Sequence, residues 1–302
     1  MTRWIQALVA ALATLMLAAP AAQAACRIGT AGATQKVDLA GRSILVHIPA
    51  GFDPAKRHPL LFLLHGSGGT GAQMLARSKL AATSDAHGFI LAAPDGGIPV
   101  PERGGFVWNI PGVPTVTGKV PTAQDADDVA YIGAAIDQLV GQACVDKAQV
   151  YVTGLSGGGR MSSWLGCVAA DRFAAIAPVV GLRAGNPSKG DPQTPDPATC
   201  RPSRPVPVIA FAGDKDTTNP IEGGGTPYWQ YPMHAAEQRW AQLNGCKGAL
   251  QTRDVTPAVY EERYAPCRAG AEVVARITRG GVHDWVVDNE AMWAFLTRYR
   301  RN

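Results

Sequence analysis

Gly154-Leu155-Ser156-Gly157-Gly158 stands directly behind the apolar run Val150-Tyr151-Val152-Thr153 and ahead of residues that suit a helix, Met161 to Ala170. A serine in G-x-S-x-G between a strand and a helix sits on a tight turn that pushes its hydroxyl out of the sheet. Glycines flank it because a Cβ there would collide with the neighbouring strand or helix. The plainer alternative is a Gly-rich loop that only turns the chain. A neutral serine is a weak nucleophile, so acyl transfer needs a base beside it. The base in turn needs an acid that fixes its tautomer and stabilises its charged form.

The order expected of such a fold is Ser, then acid, then His, each on a loop at the carboxyl end of a strand. Of the six histidines, His234 and His283 lie after Ser156. His234 opens a predicted helix. His283 follows Gly280-Gly281-Val282 at the end of a predicted strand, so it is the expected base. Asp216, in Gly213-Asp214-Lys215-Asp216 after the strand Pro207 to Ala212, is the expected acid, with Asp214 as its rival. Asp284 is adjacent to His283 and poorly placed to accept from its Nδ1.

A developing oxyanion needs two preorganised donors. The N–H of Gly157 is one candidate, and the N–H of Ser67 in His65-Gly66-Ser67 is the other. His65 reads as a residue that holds this loop. Trp108 on the long loop 97–121, and Tyr228 and Trp229 after Gly223-Gly224-Gly225, are candidate rings for a substrate pocket.

The elements that must position these residues alternate. Residues 35–39 and 42–48 read as a hairpin about Ala40-Gly41. Residues 60–64, 89–93, 150–153, 173–180, 207–212 and 272–278 read as buried strands. Residues 72–86, 126–142, 161–170, 233–243 and 290–299 read as helices. The pattern predicts an α/β class: a doubly wound, mostly parallel sheet with helices on both faces, in a single domain. Residues 183–204 are Pro-rich and polar and read as a surface excursion.

Residues 1–24 read as a secretory signal peptide: Arg3, an apolar stretch to Ala19, then Ala22-Gln23-Ala24 before the cleavage point. The catalytic domain is then 25–302. No second long apolar segment follows, so no membrane span is expected in the mature chain. A net charge of +4 is too small to suggest nucleic acid. All six cysteines follow the leader, which in a secreted chain suggests three disulfides. Sequence alone leaves the pairing open. The placement of the predicted elements favours Cys144 with Cys167, Cys246 with Cys267, and Cys26 with Cys200. There is no C-x-x-C and no His at ligand spacing from a Cys, so no metal and no cofactor are expected.

Taken in order, Leu64-His65-Gly66, Gly154 to Gly158, Gly213 to Asp216 and Gly281-Val282-His283-Asp284-Trp285 resemble one known group. It is the secreted polyhydroxybutyrate depolymerase and feruloyl esterase family of α/β-hydrolases, similar to family-1 carbohydrate esterases. Cys144-Val145-Asp146, Leu165-Gly166-Cys167 and Asn244-Gly245-Cys246 extend the resemblance across nearly the whole mature chain. It implies the α/β-hydrolase fold and Ser156, Asp216 and His283 as a triad. It also implies a secreted, cofactor-free serine esterase for hydroxyalkanoate or feruloyl-type esters, and the same three cysteine pairings. Val286 and Ser67 depart from the family's usual Pro and Cys and leave the substrate open. Small or oligomeric esters are the expected partners. A serine peptidase of the same fold and a catalytically silent secreted binding protein are the alternatives.

Overall fold

Strand β3 (His58–Leu64) illustrates how the sheet is built. Leu60, Phe62 and Leu64 face one apolar core, and Leu61 and Leu63 face the other. A strand buried on both faces has no use for polar alternation, which is why its sequence is continuously apolar. The computed structural model describes residues 26–301 except 123, 143 and 225. The leader expected over 1–24 lies outside the described residues.

The hairpin β1 (Thr34–Leu39) and β2 (Arg42–His47) turns at Ala40 and Gly41, both at positive φ. After β3 come α1 (Gly71–Ser78), α2 (Leu80–His87) and β4 (Ile90–Ala93). Sequence reading expected one helix over 72–86, but Lys79 at φ 55° divides it in two. Thr70 and Gln73 close a capping box at the start of α1.

The long loop that follows holds a small hairpin, β5 (Ile98–Val100) with β6 (Gly105–Val107). Then come α3 (Asp128–Gly141), β7 (Val145–Leu155), α4 (Gly157–Val168), β8 (Ala175–Val179), β9 (Val208–Gly213) and α5 (Met233–Leu243). The chain ends with β10 (Gln251–Thr256), β11 (Val259–Tyr264), β12 (Val273–Thr278) and α6 (Asn289–Leu296).

Ten strands form one sheet in the order β1-β2-β4-β3-β7-β8-β9-β12-β11-β10. The six from β4 to β12 run parallel, and an antiparallel hairpin closes each edge. Helices α3, α4 and α5 cover one face, and α1, α2 and α6 the other. This is the doubly wound α/β-hydrolase architecture. The β10–β11 hairpin was not expected. Every residue of β10 is exposed, so no burial pattern marks it in the sequence.

Three disulfides are present, with two pairings other than those expected. Cys246 joins Cys267 as expected, but Cys26 joins Cys144, and Cys167 joins Cys200. The reason is spatial. Cys26 is tied by its N–H to the carbonyl of Pro54, and Cys144 by its carbonyl to the N–H of His58. Both therefore lie at the amino end of β3. Cys167, near the end of α4, meets the excursion 183–204 instead, where Cys200 is buried.

Candidate active site

Ser156 stands between β7 and α4 at φ 56° and ψ −109°. This conformation is strained for a residue with a Cβ, by about 1–3 kcal/mol. Two hydrogen bonds hold it: its N–H donates to the carbonyl of Val179, and its carbonyl accepts from the N–H of Arg160, both at 2.9 Å. The glycine after next leaves no choice of residue. A Cβ on Gly158 would lie 2.2 Å from the carbonyl oxygen of Leu64, in β3.

His283 follows β12 and Asp216 follows β9, the two strands being adjacent and parallel. Nδ1 of His283 is 2.7 Å from Oδ2 of Asp216. The other oxygen of Asp216 accepts the N–H groups of Thr218 and Asn219, both at 2.8 Å. An ionised carboxylate can only accept, so Nδ1 carries the proton and Nε2 is left as the acceptor. Burial works to raise the Asp216 carboxyl. The hydrogen bond from His283 and those from Asn219 and Thr218 outweigh it and hold the group below the usual carboxylate range.

The two rival aspartates are engaged elsewhere. Asp214 accepts the N–H of Gly280 at 2.7 Å and so shapes the turn that carries His283. Asp284 pairs with Arg77 on the surface at 2.7 Å.

Ser156 and His283 line one open cleft of about 820 Å³, a volume ordinary for a small-molecule site. Ser67 lines it too. Gly157 faces Ser67 so closely that a Cβ on it would lie 2.9 Å from the Ser67 nitrogen. The two candidate oxyanion donors are thus neighbours beside Ser156. His65 is buried and holds the loop: its Nε2 accepts the N–H of Gly96 at 2.9 Å, and its Nδ1 donates to the carbonyl of Gly66 at 2.8 Å. Burial lowers its pKa, so the ring is neutral.

The candidate pocket rings fall elsewhere. Trp108 donates from its indole to the carbonyl of His65 at 2.8 Å and lines a narrow recess behind Ser67, with room for about one water. Tyr228 lines a second small recess, next to Arg160. Trp229 is buried under the guanidinium of Arg183, 3.3 Å from its ring centre, and donates to the carbonyl of Pro220. None of the three lines the open cleft.

Sequence reading passed over Arg160. It lies one helical turn after Ser156 and is 5% exposed. Its guanidinium donates to Oγ of Ser67 at 3.1 Å and stacks on Tyr228. Burial lowers its pKa to about 10, so it stays charged at neutral pH. Its place on a helix, four residues past the serine, is the only sequence signal it gives.

No protein-family model matches the chain. A feruloyl esterase B from Piromyces equi is 31% identical over 266 residues, which is 85% of this chain and 45% of that protein. A putative esterase NocK from Nocardia uniformis subsp. tsuyamanensis is 34% identical over 246 residues, 75% of this chain and 65% of that protein. The chain thus spans about half to two thirds of the length of these relatives. Among solved structures, an acetyl xylan esterase from Aspergillus awamori superposes with a TM-score of 0.62 at 16% identity, covering 88% of this chain and all but 1% of that one (99%). A native structure named pOPH gives 0.59 at 15%, covering 93% and 91%. At such identities these two speak for the fold alone. The chain is thus similar in sequence to feruloyl and putative esterases over most of its length and shares the α/β-hydrolase fold of the solved esterase.

Proposed function

We propose that the protein is a secreted serine esterase that hydrolyses carboxylic esters through an acyl-enzyme. The observation that carries this reading is the Asp216–His283 pair at 2.7 Å in the cleft into which the strained Ser156 opens. Oγ of Ser156 attacks the ester carbonyl while Nε2 of His283 takes its proton. The tetrahedral oxyanion is held by the N–H groups of Gly157 and Ser67. The intermediate collapses by expelling the alcohol, which leaves with the proton from His283. Water, deprotonated by the same nitrogen, then cleaves the acyl-enzyme and regenerates Ser156.

Similarity to feruloyl esterase B from Piromyces equi favours esters of small aromatic acids such as ferulate. The openness of the cleft agrees with small or oligomeric substrates. Three disulfides support an oxidising compartment such as the secretory route. Among the described residues no helix is long and apolar enough to cross a membrane.

The test is hydrolysis of p-nitrophenyl butyrate, methyl ferulate and a 3-hydroxybutyrate oligomer by oxidised protein, with Ser156→Ala alongside. Activity on one class that vanishes in the variant is expected. Activity that survives the variant, or none on any ester, overturns the reading.

A further inference from the structure

Away from the cleft, His234 and Glu237 share one face of α5 at spacing i,i+3, and Glu262 reaches them from β11. One ligand atom from each lies within 4.8 Å of the other two. Nδ1 of His234 is 3.0 Å from Oε2 of Glu262 and 3.7 Å from Oε2 of Glu237. These separations bracket the edge of about 3.3 Å in a tetrahedral site with bonds of about 2.0–2.1 Å to nitrogen and oxygen.

The buried carboxylates are poorly served by the protein itself. The Glu237 side chain is 2% exposed, and its Oε1 has no hydrogen-bond donor among the described residues; Oε2 of Glu262 faces only the ring of His234. A buried carboxylate without a donor is costly. A divalent ion held by a neutral imidazole and two carboxylates would be charge-balanced. The half-exposed edge of His234 (37%) offers an entry path and a fourth position for water. The cysteine spacing that argued against a metal has no bearing on this group.

We propose that His234, Glu237 and Glu262 bind a divalent transition-metal ion, zinc or one of like preference, which fastens the start of α5 to β11. Imidazole and carboxylate ligands together suit such ions. The site is independent of the hydrolytic reading, since none of its residues lines the cleft.

The test uses untagged full-length protein stripped with a chelator and titrated with Zn²⁺ by calorimetry and by thermal unfolding. One equivalent is expected to bind saturably. At a hundredfold excess over Kd, Tm should rise by about 5–10 °C. His234→Ala, whose side chain is partly exposed, and the isosteric Glu262→Gln should each lose the shift. Both should keep their ester hydrolysis, or its absence if the protein does not hydrolyse esters. Should the variants fail to fold, Co²⁺ added to the wild type decides: strong visible bands of four-coordinate Co²⁺ support the site, and the weak absorption of hexaaqua Co²⁺ overturns it. No saturable binding in the wild type, or unchanged binding in folded variants, also overturns it.

Discussion

Asp216 holds His283 by one carboxylate oxygen and its own loop by the other. Oδ2 lies 2.7 Å from Nδ1 of the ring, and Oδ1 accepts two backbone N–H groups at 2.8 Å each. The acid therefore cannot swing away from the imidazole without giving up its own turn, and the imidazole cannot adopt the other tautomer without losing its acceptor.

Asp216→Asn keeps the size of the side chain and removes the preference for a protonated Nδ1. We expect kcat to fall by about 10⁴, with Asp214→Asn staying within a few-fold of wild type. Steady-state kinetics on p-nitrophenyl butyrate checks both. Comparable losses in the two variants would reassign the acid.

The same residue has a stability signature. Its folded pKa lies below the usual range, so the ionised carboxylate contributes stability above about pH 3.9, the unfolded value. That contribution is lost as pH falls through the folded value. The stability gap between wild type and Asp216→Asn should therefore close as the pH falls below about 4 in urea titrations. A gap that stays fully open well below about pH 4 would contradict the ionised pair.

Gly157→Ala tests the oxyanion site. Its Cβ would stand 2.4 Å from Oγ and 2.9 Å from N of Ser67, so the Ser67 loop must move. A misplaced donor costs about 10²–10³ in kcat, with KM changing much less. A variant with wild-type kcat would show that the Ser67 N–H takes no part.

Arg42 and Asp128 test a buried charge that shapes the loop after β6. Asp128 is fully buried, 2.7 Å from Arg42, and accepts the N–H of Asn109, next to Trp108. Burial raises the pKa of Asp128, and Arg42 opposes it. Arg42→Ala leaves that charge without its cation. We expect a loss of about 3 kcal/mol at pH 8, smaller at pH 5 because the uncompensated carboxyl can then protonate. Chemical denaturation at the two pH values reads it. An equal or larger loss at pH 5 would contradict the assignment.

The corrected disulfides make a graded prediction. Cys26–Cys144 spans a sequence separation of 118 and Cys246–Cys267 one of 21. On the chain-entropy account, replacing the first pair by serines should cost about 1–2 kcal/mol more than replacing the second. Equal losses would point to native-state contacts as the source.

Much of this was legible in the residues. Runs such as Leu60 to Leu64 announce strands buried on both faces, and the serine, acid and histidine fall in chain order at strand ends. What escaped depends on contacts between distant segments. The placement of Cys26 beside β3 is not encoded near Cys26. The polar β10 carries no burial pattern, and the break at Lys79 lies in a stretch whose apolar spacing continues across it. The rings of Trp108 and Trp229 have the right type for a pocket, but each spends its N–H on a backbone carbonyl that anchors a loop.

The most direct test of the central claim is intact-mass analysis after treatment with a fluorophosphonate, followed by peptide mapping. The account predicts one adduct per chain, located on Ser156, absent from Ser156→Ala and strongly slowed in His283→Ala. An unlabelled wild type, or an adduct on another serine such as Ser67, would contradict it.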